Sequence, residues 1–280
     1  IICSLYGFKE AKSRFSQYFY DSFDELLHSE FFSESEILEF KRKQLALALL
    51  RAREFPLYPE LEIVPLPEIE SDPFGVLSSL PILTKPKLRS FQESRIGSPP
   101  GSSIGYTSGT TGSPLRLFKD HESVAFQWAV WYRHRKRFGI NLGDLSVNFT
   151  GKPVVPFSQT TPPFWRFNSA FNQYLISMQH INTSNIQSIC KFLNSIKPSF
   201  YSGYPSILCE VSRLAIESGC ALNSANCPKV VFTGAENVFE YQREFIHEFT
   251  KAQVADQYGA AEGCCNLSQC ERGNYHEDFE

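Results

Sequence analysis

From about residue 144 onward the chain alternates short apolar runs with helix-period segments, and this alternation constrains the fold more than any other feature. Residues 145–149 have strand character. Thr183 is placed to cap a helix in which Ile186, Cys190, Leu193 and Ile196 keep helical spacing. Residues 199–202 make a short strand, and Pro205 suits the first turn of a helix that Gly219 stops. Residues 229–233 form a compact buried strand, Tyr241, Phe245 and Phe249 stripe the next helix, and residues 253–257 form a further strand. Strand, helix, strand in this order predicts an α/β fold with parallel pairing through right-handed crossovers. Loops that follow parallel strands open on one edge of the sheet, where such folds bind ligands. Three short motifs fall in those loops: Gly203-Tyr204-Pro205-Ser206, Gly234-Ala235-Glu236 and Tyr258-Gly259-Ala260-Ala261-Glu262.

Upstream, Ser22 with Glu25 and Ser33 with Glu36 have capping-box spacing, and the second opens an amphipathic run over residues 37–54 that Pro56 ends. Residues 56–73 are rich in proline and predict an irregular connector draped over the main domain. The expected organisation is a helical segment and connector over residues 1–75, then an α/β core over residues 76–280. Residues 103–107 and 115–119 predict two strands of a hairpin. The connecting run, Tyr106-Thr107-Ser108-Gly109-Thr110-Thr111-Gly112-Ser113-Pro114, combines two glycines with five serine and threonine hydroxyls. Two physical readings fit it: a polar hairpin turn, or a nest of backbone N–H groups and hydroxyls around a polyphosphate. It is not a Walker loop, since no Gly-Lys-Ser/Thr follows.

Composition narrows the classes. In 280 residues, 42% hydrophobic and 20% charged, a real core can be buried and disorder is not the default. A net charge of -3 argues against nucleic acid as the main partner, and no stretch approaches the roughly 18 apolar residues of a membrane span. The chain begins Ile1-Ile2-Cys3, without an initiator Met or a signal pattern, as a fragment would. Its eight cysteines are too few and too scattered for a disulfide framework, and Cys3, Cys190, Cys209, Cys220 and Cys227 read as small buried thiols in a reducing cytoplasm. Cys264, Cys265, Cys270 and His276 carry two readings, free thiols with a surface His or soft ligands to a structural Zn²⁺, and the spacing favours the first. The run Arg133-His134-Arg135-Lys136-Arg137 predicts a solvated helix C-terminus that complements the dipole, with Trp128 and Trp131 on another face. Capture of an anionic acceptor is the minor reading of that run.

Several motifs together carry a resemblance. The run from Tyr106 to Pro114 resembles the signature phosphate loop of the adenylate-forming superfamily. Leu80-Pro81-Ile82-Leu83-Thr84-Lys85 is similar to the segment preceding that loop in the phenylacetate–CoA ligase family. Pro162-Pro163-Phe164-Trp165-Arg166, Tyr204-Pro205-Ser206 and the run Cys270 to His276 resemble its CapK-like branch, associated with capsular polysaccharide synthesis. Phe232-Thr233-Gly234-Ala235-Glu236 and Asp256-Gln257-Tyr258-Gly259 resemble the two later nucleotide motifs.

The resemblance implies the large domain of an enzyme that activates a carboxylic acid with ATP and Mg²⁺ and passes the acyl group to CoA. It implies that Thr107, Ser108, Gly109, Thr110, Thr111 and Gly112 hold the β- and γ-phosphates, with Thr110 and Thr111 sharing developing charge. Gly234, Ala235 and Glu236 would wall the adenine slot, Gln257, Tyr258 and Gly259 would continue it with Tyr258 stacked on the base, and Glu262 would hold Mg²⁺. Ala261 departs from the pattern, because the superfamily usually places there a Thr that contacts the α-phosphate. The family's small C-terminal domain and ribose-binding Asp are expected downstream of Glu280. A non-catalytic, nucleotide-binding component of the polysaccharide machinery is the alternative that Ala261 leaves open.

Overall fold

The computed structural model describes residues 2–93, 102–106 and 114–280. The chain opens with helices α1 (Ile2–Arg14), α2 (Gln17–Ser29), α3 (Glu34–Ala52), α4 (Glu60–Ile63), α5 (Leu66–Ser71), α6 (Pro73–Ser79) and α7 (Lys85–Glu93). Strands β1 (Ser103–Tyr106) and β2 (Arg116–Lys119), helix α8 (His121–Arg137) and strands β3 (Ser146–Thr150), β4 (Trp165–Asn168) and β5 (Gln173–Ser177) follow. The remainder alternates: α9 (Ile186–Leu193), β6 (Phe200–Gly203), α10 (Pro205–Glu217), β7 (Val230–Gly234), α11 (Glu240–Thr250), β8 (Gln253–Gly259), β9 (Asn266–Gln269) and β10 (Tyr275–Glu277).

Two compact units result, Ile1–Phe23 with Val124–Asp278 and Asp24–Ser123 with Phe279–Glu280. The sequence boundary at residue 75 follows composition, whereas compactness joins α1 to the sheet. Gly7 is buried so closely on β4 that a Cβ there would lie 2.2 Å from Asn168 Oδ1.

The unit over Asp24–Ser123 is mainly helical. Ser33 closes the expected capping box on α3: its backbone N–H donates to Glu36 Oε2 at 2.7 Å and its Oγ accepts from the Glu36 N–H. The Ser22 box does not form, because Ser22 is buried inside α2, which begins at Gln17. The proline-rich stretch is not an irregular connector. Pro59, Pro65, Pro67 and Pro73 stand at N-caps and first turns, where no N–H is needed, so α4, α5 and α6 form around them. Leu61, Ile69 and Val76 then bury against Ala46 and Leu49 of α3. Strands β1 and β2 pair antiparallel, Ser103 opposite Lys119 and Tyr106 opposite Arg116, as the hairpin reading requires. The loop they flank, with Thr107, Ser108, Gly109, Thr110, Thr111 and Gly112, lies outside the described residues.

The other unit is built on an eight-stranded sheet in the order β10-β9-β8-β7-β6-β3-β5-β4. β5, β3, β6, β7 and β8 are parallel, and β4, β9 and β10 are antiparallel to their neighbours. The α/β expectation therefore holds. One face of the sheet, with Val147, Ile176, Tyr201, Val231 and Val254, packs on α9, α10 and α11 through Ile189, Leu214, Ile246 and Phe249. Two local readings change. Asn182 Oδ1, not Thr183, accepts the N–H groups of Ser184 and Asn185 ahead of α9. On α11 the buried residues are Gln242, Ile246, Phe249 and Thr250, while Tyr241 is exposed.

The opposite face has two parts. Phe200, Val230, Phe232 and Ala255 pack with Ile140 and Phe138, just beyond α8. Ser146, Asn148, Gln173 and Ser202 make the other part polar, with Asn148 Nδ2 donating to Ser202 Oγ at 2.8 Å and Gln173 Nε2 to Ser146 Oγ at 3.2 Å. The basic run ending α8 is not a solvated terminus. Arg133 forms a buried 2.7 Å ion pair with Asp278, and His134 Nε2–H donates to the Gln269 carbonyl at 2.8 Å. Arg135 turns to the same side as Trp128. Among the described residues no helix is long and apolar enough to cross a membrane.

Candidate functional site

The carboxyl ends of β6, β7 and β8 lie side by side, with Gly203 beside Thr233 and Gly234 beside Gln257. That register brings the three loop motifs to one edge. The β7 motif is tightly set, since a Cβ on Gly234 would sit 3.1 Å from the Gln257 carbonyl oxygen. The next residue, Ala235, adopts φ 67°. A left-handed L-residue costs on the order of 1–2 kcal/mol, and such outliers gather where a backbone must meet a ligand. The turn projects Glu236 across to the start of α10, where its Oε2 accepts the Ser206 N–H at 3.2 Å. A carboxylate there satisfies an otherwise unpaired first-turn donor and complements the helix dipole. Thus Tyr204-Pro205-Ser206 and Gly234-Ala235-Glu236 are joined by a hydrogen bond.

Between β7 and β8 this edge opens into a cavity of about 660 Å³, within the usual range for small-molecule sites. Ala235, Glu236, Gln257, Tyr258 and Gly259 line it, so five of the residues singled out in the sequence come together. Tyr258 is 56% exposed, a ring open on one side. Sequence reasoning missed the support beneath. Asp256 is buried, accepts the Thr233 hydroxyl on Oδ1 at 2.6 Å and accepts the Tyr275 hydroxyl on Oδ2 at 2.5 Å. Burial, reinforced by that bond to Asp256, pushes Tyr275 up to about 12, so the phenol stays protonated and donating. A polar residue in each of two adjacent buried strands was the available signal, but only the Thr233–Asp256 register pairs them.

Not every expected residue reaches the cavity lining. Gly234 backs it, while Ala261 and Glu262 stand on an exposed turn closed by hydrogen bonds from Ala260 N–H to Cys265 O at 3.2 Å and Gly263 N–H to Ala260 O at 3.0 Å. The zinc reading of Cys264, Cys265, Cys270 and His276 is corrected. Cys264 and Cys265 are exposed on that turn, His276 lies in β10 opposite Ser268, and among the described residues no three His, Cys, Asp or Glu side chains gather to hold a metal.

Over 198 residues, or 70% of its length, the chain is 25% identical to protein CapK of Staphylococcus aureus, covering 44% of that protein. It superposes on 2-hydroxyisobutyryl-CoA ligase in complex with 2-HIB-AMP and CoA with a TM-score of 0.58, at 18% identity, over 88% of this chain and 54% of that one. The chain is a CapK homologue with the fold of the adenylate-forming CoA ligases. An open conformation of the same ligase gives a TM-score of 0.57 at 17% identity over 84% of this chain and 57% of that one. The chain therefore spans about half the length of the proteins it matches. No protein-family model matches it.

Proposed function

We propose that this chain is the nucleotide-binding part of an enzyme that activates a carboxylic acid with ATP, followed by transfer of the acyl group to CoA. The observation that carries this reading is the meeting of Ala235, Glu236, Gln257, Tyr258 and Gly259 in one cavity at the carboxyl edge of a parallel sheet. The CapK relationship and the acyl-AMP and CoA complexes of the ligase with this fold support it.

In the proposed reaction a carboxylate oxygen attacks the α-phosphorus of ATP. A new P–O bond forms as the bond to the β-phosphate oxygen breaks, giving acyl-adenylate and pyrophosphate. This chain contributes mainly position and field. The Ala235 turn and Gly259 shape the slot, Tyr258 offers a face to the adenine, and Thr107, Ser108, Gly109, Thr110, Thr111 and Gly112 supply donors to the β- and γ-phosphates. Glu262 is exposed and forms no ion pair among the described residues, so its carboxylate suits Mg²⁺, which favours one or two carboxylates alongside phosphate oxygens. Bound there, Mg²⁺ would neutralise charge on the polyphosphate. Ala261 supplies no hydroxyl to the α-phosphate.

The test is pyrophosphate exchange in the full-length protein from which this chain comes. Exchange above background that Glu262→Gln abolishes, and that Ala261→Thr keeps or raises, is the expected outcome. Exchange indifferent to Glu262 overturns the mechanism. AMP binding without any exchange favours the second reading, a non-catalytic nucleotide-binding component of polysaccharide synthesis, which the exposed placement of Glu262 outside the cavity lining would suit.

A further inference from the structure

Over the polar part of the sheet, away from the nucleotide cavity, lies a second and larger cavity of about 1670 Å³. Its floor is the β3–β5–β6 face, with Asn148, Gln173 and Ser202. Helices α1 and α8 and residues 153–157, the apolar run Pro-Val-Val-Pro-Phe, provide walls. The charge of this lining is unlike that of the chain. A protein of net charge -3 places four basic side chains here, Arg14, Arg135, Lys152 and Arg166, against one acidic side chain, Glu10.

Three of the four cations are engaged by carboxylate, carbonyl or amide oxygens. Arg14 pairs with Glu10 at 2.7 Å, Lys152 lies 3.9 Å from the same carboxylate, and Arg166 donates to the carbonyls of Pro163 and Trp165 and to Gln159 Oε1. Arg135 has no carboxylate partner among the described residues. Its guanidinium is half-buried among rings, 4.8 Å from the centroid of Tyr132, 5.1 Å from Phe200 and 5.5 Å from Trp128. Trp128, Tyr132 and Arg135 follow i, i+4, i+7 spacing, so one stripe of α8 presents the cation to the cavity. Burial depresses the Arg135 pKa, the sign expected for a cation short of both water and counter-charge. Such a charge is costly to hold unless something pairs with it. Aromatic faces and a hydrogen bond to the Tyr132 hydroxyl meet part of that need, and the rest of the planar fork of N–H donors suits a carboxylate or phosphate.

We propose that this cavity is a binding site for an amphipathic organic anion. Its acidic group pairs with Arg135, its polar atoms meet Asn148, Gln173 and Ser202, and its apolar body lies against residues 153–157. Carboxylate, sulfonate and phosphate share this chemistry, and the test tells them apart. The site does not depend on the adenylation reading, because none of its lining residues lines the nucleotide cavity.

Titration of the intact chain with 2-naphthoate, 2-naphthalenesulfonate, 2-naphthyl phosphate and neutral 2-naphthamide, read by calorimetry and by tryptophan fluorescence, tests it. At least one anion should bind saturably and at least tenfold more tightly than the amide, and the tightest identifies the acidic group. Arg135→Gln should weaken that anion tenfold or more at an unchanged melting temperature, Arg135→Lys should weaken it less, and saturating AMP should not displace it. Equal affinity for amide and anions, no saturable binding below millimolar concentration, or a folded Arg135→Gln protein that binds like the parent overturns the proposal. If Arg135→Gln does not fold, the amide comparison on the unaltered protein decides. AMP binding measured in parallel separates failure here from failure of the nucleotide reading.

Discussion

The same parallel strands show opposite chemistry on their two faces. Val147, Tyr174 and Tyr201 point to α9, α10 and α11 and join a large apolar cluster, whereas their neighbours Ser146, Gln173 and Ser202 point to a cavity and hydrogen-bond across the strands. Successive strand residues face opposite sides, so a single short sequence writes both surfaces. Parallel sheets are usually apolar on both faces because helices cover both. Here the departure is local. Beside the polar part, Phe200, Val230, Phe232 and Ala255 keep that face dry. Stability and recognition are thereby assigned to different residues of the same strands, and each assignment can be broken separately.

The largest effect is expected on the helix-covered face. Ile246 is fully buried there, and Ile246→Ala should cost about 2–5 kcal/mol in denaturant unfolding, by lost transfer energy and the cavity left behind. A loss well below 1 kcal/mol would mean the two faces do not differ as described.

The next effect depends on pH. On the dry part of the opposite face, His134 packs edge-on to Phe232 and Phe138, and burial holds its pKa down at about 4. Unfolded, a His titrates near about 6.5. Between these values the unfolded chain binds a proton that the folded chain does not, so acid favours unfolding. The contribution is full above about pH 6.5, shrinks as pH falls and is gone near 4, on the order of 3 kcal/mol in all. Melting of the parent against His134→Gln at pH 7 and pH 5 checks this. The parent should lose more on acidification, and parallel losses would show that His134 is not the titrating group.

On the polar part a smaller loss is expected. Asn148→Ala removes one hydrogen bond to Ser202 and should cost about 1 kcal/mol, since Ser202 stays beside a cavity that water can enter. Smallest of all, Tyr258→Ala at the exposed strand end should move stability by no more than about 0.5 kcal/mol. It should nevertheless weaken AMP by about 5- to 150-fold, the range that base–aromatic stacking supplies. A large stability loss with unchanged AMP affinity would make Tyr258 a packing residue.

How far the sequence could be read follows from the range of the interactions. The Ser33 capping box, the start of α10 at Pro205 and the positive φ of Gly219 were legible because each is settled within a few residues. The strand-end motifs were legible because chain order alone sends parallel-strand loops to one edge. The end of α8 was misread because a basic run at a helix C-terminus has a satisfactory local explanation, while the partner of Arg133 stands 145 residues away. The pairing of Asp256 with Tyr275 was not legible for a related reason, since strand register and the turn before β10 bring them together. The cavity around Arg135 was invisible because its lining comes from α1, α8 and four strands at once.

Gly7 against Asn168 and Arg133 against Asp278 also constrain how the molecule can be made. Each contact joins points far apart in the chain, and the unit they belong to is split by residues 24–123. A ribosome releases the chain at about 5–20 residues per second, N-terminus first. Helix α1 therefore emerges many seconds before the strand that will cover it, with Gly7 unpacked in the meantime. The helical unit over Asp24–Ser123 gains most of its partners earlier. Such non-local closure is slow, so the sheet is the late-forming part of the protein and the interval before Asp278 appears is when the nascent chain most needs a chaperone.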